Sequence, residues 1–198
     1  MTGVSESEPR FYLYWPVDQQ WQERVAGLFG ADRPSHNPYP KTTAGKIMSN
    51  RHPQRLQNVD GDGACLPRTI SLAIFGDEEH HQLLRDAVVD FILQGPLPGE
   101  TAPRDEAFFQ RMGKMRLQIT WMTTFEVTAF GHMLDTPIFS CVEQLKADGS
   151  PSGKFFWQRL PHETSTHNLA NGRGIYIFNS KNHFQLVLNL DRERDYHI

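Results

Sequence analysis

The stretch NVDGDGACLPRTIS, residues 58–71, places two Asp-Gly pairs ahead of one of only two cysteines and then enters an apolar run. From Cys65 onward, Leu66, Ile70, Ala73 and Ile74 recur at helical spacing, and Gly76 supplies a stop signal. The spacing predicts a helix with Cys65 at its N-terminus. A thiol is a useful nucleophile only as thiolate, and unpaired N–H groups at a helix N-terminus favour the anion, so this position predicts a lowered pKa. Gly61 and Gly63 are expected to let the backbone turn tightly and aim bare N–H groups at one point, as an oxyanion hole requires. Two readings of Cys65 fit the pattern, since a cysteine on an apolar stripe is also an ordinary small core residue.

Working outward, Trp21, Val25, Leu28 and Phe29 form an amphipathic stripe downstream of Pro16 and Asp18. The Pro-rich segment 31–50 reads as an extended connector. Beyond Gly76, residues 78–93 carry Leu83, Leu84, Ala87, Val88 and Phe91 on one helical face. After the breaker QGPLPGETAPRDE, residues 108–115 and 124–134 are again helical. TPIFSCVEQL, GKFFWQRL, RGIYIFNS and HFQLVLNL read as strands, the last two joined as a hairpin by a polar turn over residues 179–182. Helices first and strands later give an α+β domain. The aromatic stripe of residues 21–29 is expected to pack on the core rather than to meet a partner.

A nucleophile needs a base, and of nine histidines His183 stands out, 118 residues after Cys65, in KNHF at the head of an apolar strand. Cys141 lies inside a strand-like run and reads as core. His80 and His81 lack the spacing of a metal site, and no G-K-[ST] follows Gly61-x-Gly63, so metal and phosphate-loop readings are weak. Neither metal nor organic cofactor is expected.

Bulk composition sets the outer limits. With 198 residues, 38% hydrophobic, 22% charged and a formal net charge of -3, the chain has the composition of a soluble globular protein with one core as the default. There is no basic excess to neutralise nucleic-acid phosphates. The opening MTGVSESEPR is acidic and polar, unlike a signal peptide, and no stretch is long and apolar enough to span a bilayer. Two cysteines are too few for a disulfide framework. An intracellular protein, cytoplasmic or nuclear and monomeric, is expected.

The segment DGACL, residues 62–66, with Arg68, Ile70, Ser71 and then GDEEHHQLLRDAVVDFI, resembles the active-site segment of the ovarian tumour (OTU) cysteine proteases, which are mostly deubiquitinases. TWMTTFEVTAFGHMLDTPIFS resembles a second family block, and IYIFNSKNHFQLVL resembles the terminal hairpin that carries the catalytic His. The likeness runs in order over residues 58–190 and leaves residues 1–50 uncovered, as an N-terminal extension ahead of a catalytic domain over 51–198.

The resemblance implies a papain-related fold, with a small central β-sheet flanked by helices. It implies Cys65 as nucleophile and His183 as base, with the backbone N–H of Asp62 lining the oxyanion hole beside that of Cys65. The partner implied is ubiquitin or polyubiquitin. The alternatives are a non-catalytic ubiquitin-binding module, and a protease of the same fold acting on a ubiquitin-like modifier or polyprotein.

Two positions depart from the pattern. Pro67 stands where an aromatic is usual, and Gln185 stands two after the His, where Asp or Asn is common. Gln185 is the candidate third member; since some relatives recruit an acid from the segment before the nucleophile, Asp60 or a residue of the 30–58 connector is the substitute. Phe155, Phe156 and Trp157 read equally as walls of a channel for the basic Gly-Gly tail and as strand core.

Overall fold

The computed structural model describes residues 12–31, 34–39, 46–48, 51–161, 173–180 and 183–191. A five-stranded mixed sheet is built from β3 (Pro53–Gln57), β4 (Ile138–Leu145), β5 (Pro151–Leu160), β6 (Ile175–Ser180) and β7 (His183–Leu190), in the order β3-β7-β6-β4-β5. Only the β4–β6 pair is parallel; β3–β7, β6–β7 and β4–β5 are antiparallel. β1 (Leu13–Tyr14) and β2 (Lys46–Ile47) form a separate short ribbon. The helices are α1 (Gln19–Leu28), α2 (Cys65–Phe75), α3 (His81–Gln94), α4 (Glu106–Met115) and α5 (Thr124–Met133).

Alternation along β6 sends Ile175 and Ile177 to one face and Tyr176 and Phe178 to the other. The first face carries the helical core; the second carries an aromatic cluster in which Phe139 stacks on Tyr176 at 4.9 Å. The helix over 65–75 lies at the centre of the first. Its stripe reading understates it, because every α2 residue except Arg68 is buried. Pro67 costs nothing there, since the first turn of a helix has no partner for the N–H it lacks. Gly76 ends α2 in the left-handed region at φ +82, and its α-carbon faces the carbonyl of His36 too closely for any Cβ.

The remaining helices follow their local signals. α1 is started by Asp18, whose side chain accepts the Trp21 N–H at 2.9 Å. Trp21 and Val25 enter the helical core, where Trp21 Nε1 donates to Thr136 at 2.8 Å, whereas Leu28 of the same stripe is 69% exposed. α5 opens with a capping box between Thr123 and Glu126. α3 begins at His81, three residues later than the spacing suggests, behind the Asp77–Glu79 turn. His80 stacks on Phe75 at 4.0 Å and meets Asp77 Oδ1 at 3.3 Å, which accounts for it as a packing residue.

Two sequence readings change. β3 falls where a polar segment gave no strand signal, and it becomes the edge partner of β7. β6 runs through Ser180, which pairs with His183, so the turn is shorter than 179–182; its residues 181 and 182 lie outside the described set. The connector over 31–50 is described only in part, at 31, 34–39 and 46–48.

Candidate active site

Cys65 is the first residue of α2 and is 1% exposed. The turn before it is organised by Asp62: its carbonyl accepts the Cys65 N–H at 3.2 Å and its Oδ1 accepts the Ala64 N–H at 2.9 Å. Arg68 donates to the same carboxylate through Nη2 at 3.0 Å and Nε at 3.3 Å, and Gln118 Nε2 donates to Oδ2 at 2.8 Å. Partial burial would raise the Asp62 pKa, but these donors outweigh it and hold the carboxyl at about 2. Asp62 is thus a charged brace for the turn.

The glycines play different parts. A Cβ on Gly63 would stand 2.4 Å from Gln118 O, so glycine is required there by the close approach of the loop after α4. Gly61 has open space where a Cβ would sit. The expected cluster of bare N–H groups is also changed, because the Ala64 and Cys65 amides are both engaged by Asp62.

The thiol pKa moves opposite to the helix-terminus expectation. Burial pushes it up, while the backbone N–H groups of Phe184 and Leu66 pull it down without prevailing. The Phe184 contact also locates the thiol, setting it against the start of strand β7, one residue from His183. Thr69 fastens the same junction, its hydroxyl 2.8 Å from Cys65 O and 3.1 Å from Phe184 O. Cys141 is a core thiol in β4, pushed up by burial to about 12.

His183 opens β7. Its Nε2 lies 3.0 Å from Asn58 Oδ1, and Gln185 Nε2 donates to that same oxygen at 2.8 Å. An amide oxygen only accepts, so the His183 Nε2 carries a proton, and in the neutral ring Nδ1 is the atom with the lone pair. Nδ1 is buried and has no hydrogen-bond partner among the described residues. Gln185 therefore stands one step from the imidazole, orienting Asn58 rather than His183, and Asp60 is an exposed residue two positions further on. Asn58 reaches its place because β3 pairs with β7, with Gln57 opposite Leu186, which sets the next residue beside Gln185.

The aromatic residues of β5 lie elsewhere. Trp157 belongs with the aromatic cluster on the sheet face opposite α2 and donates to Arg51 O at 2.9 Å, and Phe155 packs on His52 and Phe178. Phe156 is 47% exposed on the edge strand. Trp157 and Phe155 thus lie on the sheet face away from the Cys65 turn.

Neither a scan against protein-family models nor a search of curated proteins gave a match. Solved structures did. The OTU domain of OTUD1 superposes with a TM-score of 0.51 at 19% identity, covering 69% of this chain and 85% of that one. The viral OTU domain protease from Dera Ghazi Khan virus gives a TM-score of 0.50 at 11% identity, covering 70% of this chain and 81% of that one. The fold of this chain is that of the OTU domain, an α+β architecture with helices packed on a five-stranded sheet.

Proposed function

We propose that this chain is a thiol-dependent deubiquitinase that hydrolyses the isopeptide bond after the C-terminal Gly of ubiquitin. The observation that carries the reading is the imidazole of His183. One ring nitrogen is fixed by Asn58, the other is buried and unpartnered among the described residues, and the Cys65 thiol meets the backbone of the next residue, Phe184. A raised thiol pKa makes a base necessary, because the thiol is protonated at neutral pH until one takes its proton.

In the reaction, His183 Nδ1 takes the Cys65 proton as the sulfur bonds to the Gly carbonyl carbon, giving a tetrahedral oxyanion. The Cys65 N–H can turn to that oxyanion by giving up its 3.2 Å contact to the Asp62 carbonyl. Collapse breaks the C–N bond as His183 returns the proton to the departing lysine amine. Water, deprotonated by His183, then cleaves the thioester and the thiol is restored. Asn58 keeps the imidazole in the tautomer that accepts on Nδ1, and Gln185 keeps Asn58 oriented. A working thiol needs a reducing compartment, cytoplasm or nucleus.

The test is reaction with a ubiquitin probe carrying a C-terminal electrophile. Labelling that vanishes in Cys65→Ala and His183→Ala supports the reading. Tight ubiquitin binding without labelling of the parent chain would instead make it a recognition module.

A further inference from the structure

Arg85 is the largest fully buried side chain among the described residues, at 0% exposure on α3. Its partners are all backbone carbonyls. Nη1 donates to Met115 at 2.6 Å, Leu117 at 3.0 Å and Thr120 at 3.1 Å; Nη2 donates to Gly63 at 2.6 Å and lies 3.4 Å from the Gln118 carbonyl. A buried cation hydrogen-bonded to carbonyl dipoles, with the carboxylates of Asp62, Asp86 and Glu126 acting on it at longer range, is an expensive way to close a loop, since apolar side chains would fill the same space with no charge to desolvate.

The Gly63 contact suggests what the expense secures. The Gly63 carbonyl and the Ala64 N–H belong to one peptide plane, which adjoins at the Ala64 α-carbon the plane that carries the Cys65 N–H. Arg85 holds its oxygen and Asp62 Oδ1 holds its N–H, so the plane is pinned at both ends, next to a glycine that would otherwise let it rotate. The Gln118 side chain reinforces the arrangement by bonding Asp62 while its backbone faces both Arg85 and Gly63.

We propose that Arg85 is a positioning residue of the hydrolase, which locks the Gly63–Ala64 peptide and so sets the adjoining plane, whose Cys65 amide passes from the Asp62 carbonyl to the substrate's oxyanion. The assignment rests on the deubiquitinase reading above. Lysine keeps the charge but cannot reach Gly63 and the 115–120 carbonyls together, because it lacks the planar fork.

Parent and Arg85→Lys proteins would be compared on a ubiquitin C-terminal fluorogenic amide and in alkylation of Cys65 by iodoacetamide across pH. Alkylation uses the thiol and its base but no oxyanion site. The expected result is a kcat lower by about 100-fold, a KM within about twofold, and an unchanged alkylation profile. Equal losses in kcat and alkylation, or an unchanged kcat, overturn the proposal. If Arg85→Lys does not fold, Arg85→Gln takes its place, and failure of both to fold also overturns it, since Arg85 would then be core alone. If the parent cleaves no ubiquitin substrate, the deubiquitinase reading falls separately, and hydrogen exchange at the Ala64 and Cys65 amides decides the positioning role. Faster exchange in Arg85→Lys supports it and equal exchange overturns it.

Discussion

At the scale of single residues, a relay from Gln185 through Asn58 to His183 makes the amide of Asn58 the group that selects the imidazole tautomer. Asn58→Ala is expected to lower kcat by about 100-fold, the range of a misplaced general base, with little change in KM. Gln185→Ala should cost less, because Asn58 still has His183 to orient it, and the order of the two losses in steady-state rates is the check. A Gln185→Ala loss exceeding that of Asn58→Ala would return the orienting role to Gln185. The buried thiol carries its own expectation: Cys65 should react with iodoacetamide at neutral pH more slowly than free cysteine, since burial raises its pKa. Cys141→Ala should leave turnover intact, as that thiol lies in β4 within the sheet.

At the scale of elements, the turn from Asp62 to Cys65 is held by charge and by close approach. Asp62 titrates at about 2 in the folded chain against an ordinary 3.8. A carboxylate depressed in this way stabilises the fold fully above the unfolded value and loses that contribution as pH falls from about 4 towards 2. The melting temperature of Asp62→Asn should therefore fall less steeply than that of the parent through this window, measured by thermal unfolding at stepped pH. An equally steep fall would show that the carboxylate does not brace the turn. Gly63→Ala is expected to displace the loop over 117–120, because its Cβ would meet backbone rather than a flexible side-chain end. Its turnover should fall with that displacement.

At the scale of the whole molecule, α1 is part of the helical core although it precedes the stretch that resembles the family. Trp21 is 9% exposed, lies in the helical core and bonds Thr136, so Trp21→Ala should cost about 3–5 kcal/mol in denaturant unfolding. A loss below about 1 kcal/mol would mean that residues 12–31 are not part of the cooperative unit. The two sheet faces are unequal: one is filled by helices and meets the thiol, and the other is closed by Tyr14, Phe139, Tyr176 and their neighbours. That inequality takes Trp157 and Phe155 away from the turn before Cys65.

Elements with a strong period or a stop signal were legible from residues alone. The helix behind Cys65 with its Gly76 stop, the Asp18 start, and the β6–β7 pair all follow from local patterns that chain neighbours complete. Cys65 and His183 could be singled out because each stands at the head of such an element. Asn58 could not, because its role depends on β3, a polar edge strand with no alternation to announce it, brought beside β7 by pairing across more than a hundred residues. The direction of the Cys65 pKa was likewise decided by tertiary burial, which outweighs the N–H donors around the thiol. Local periodicity specifies which segments become helices and strands; which side chains then share a hydrogen bond or lose their water depends on contacts between segments, and those form only when the sheet closes around α2.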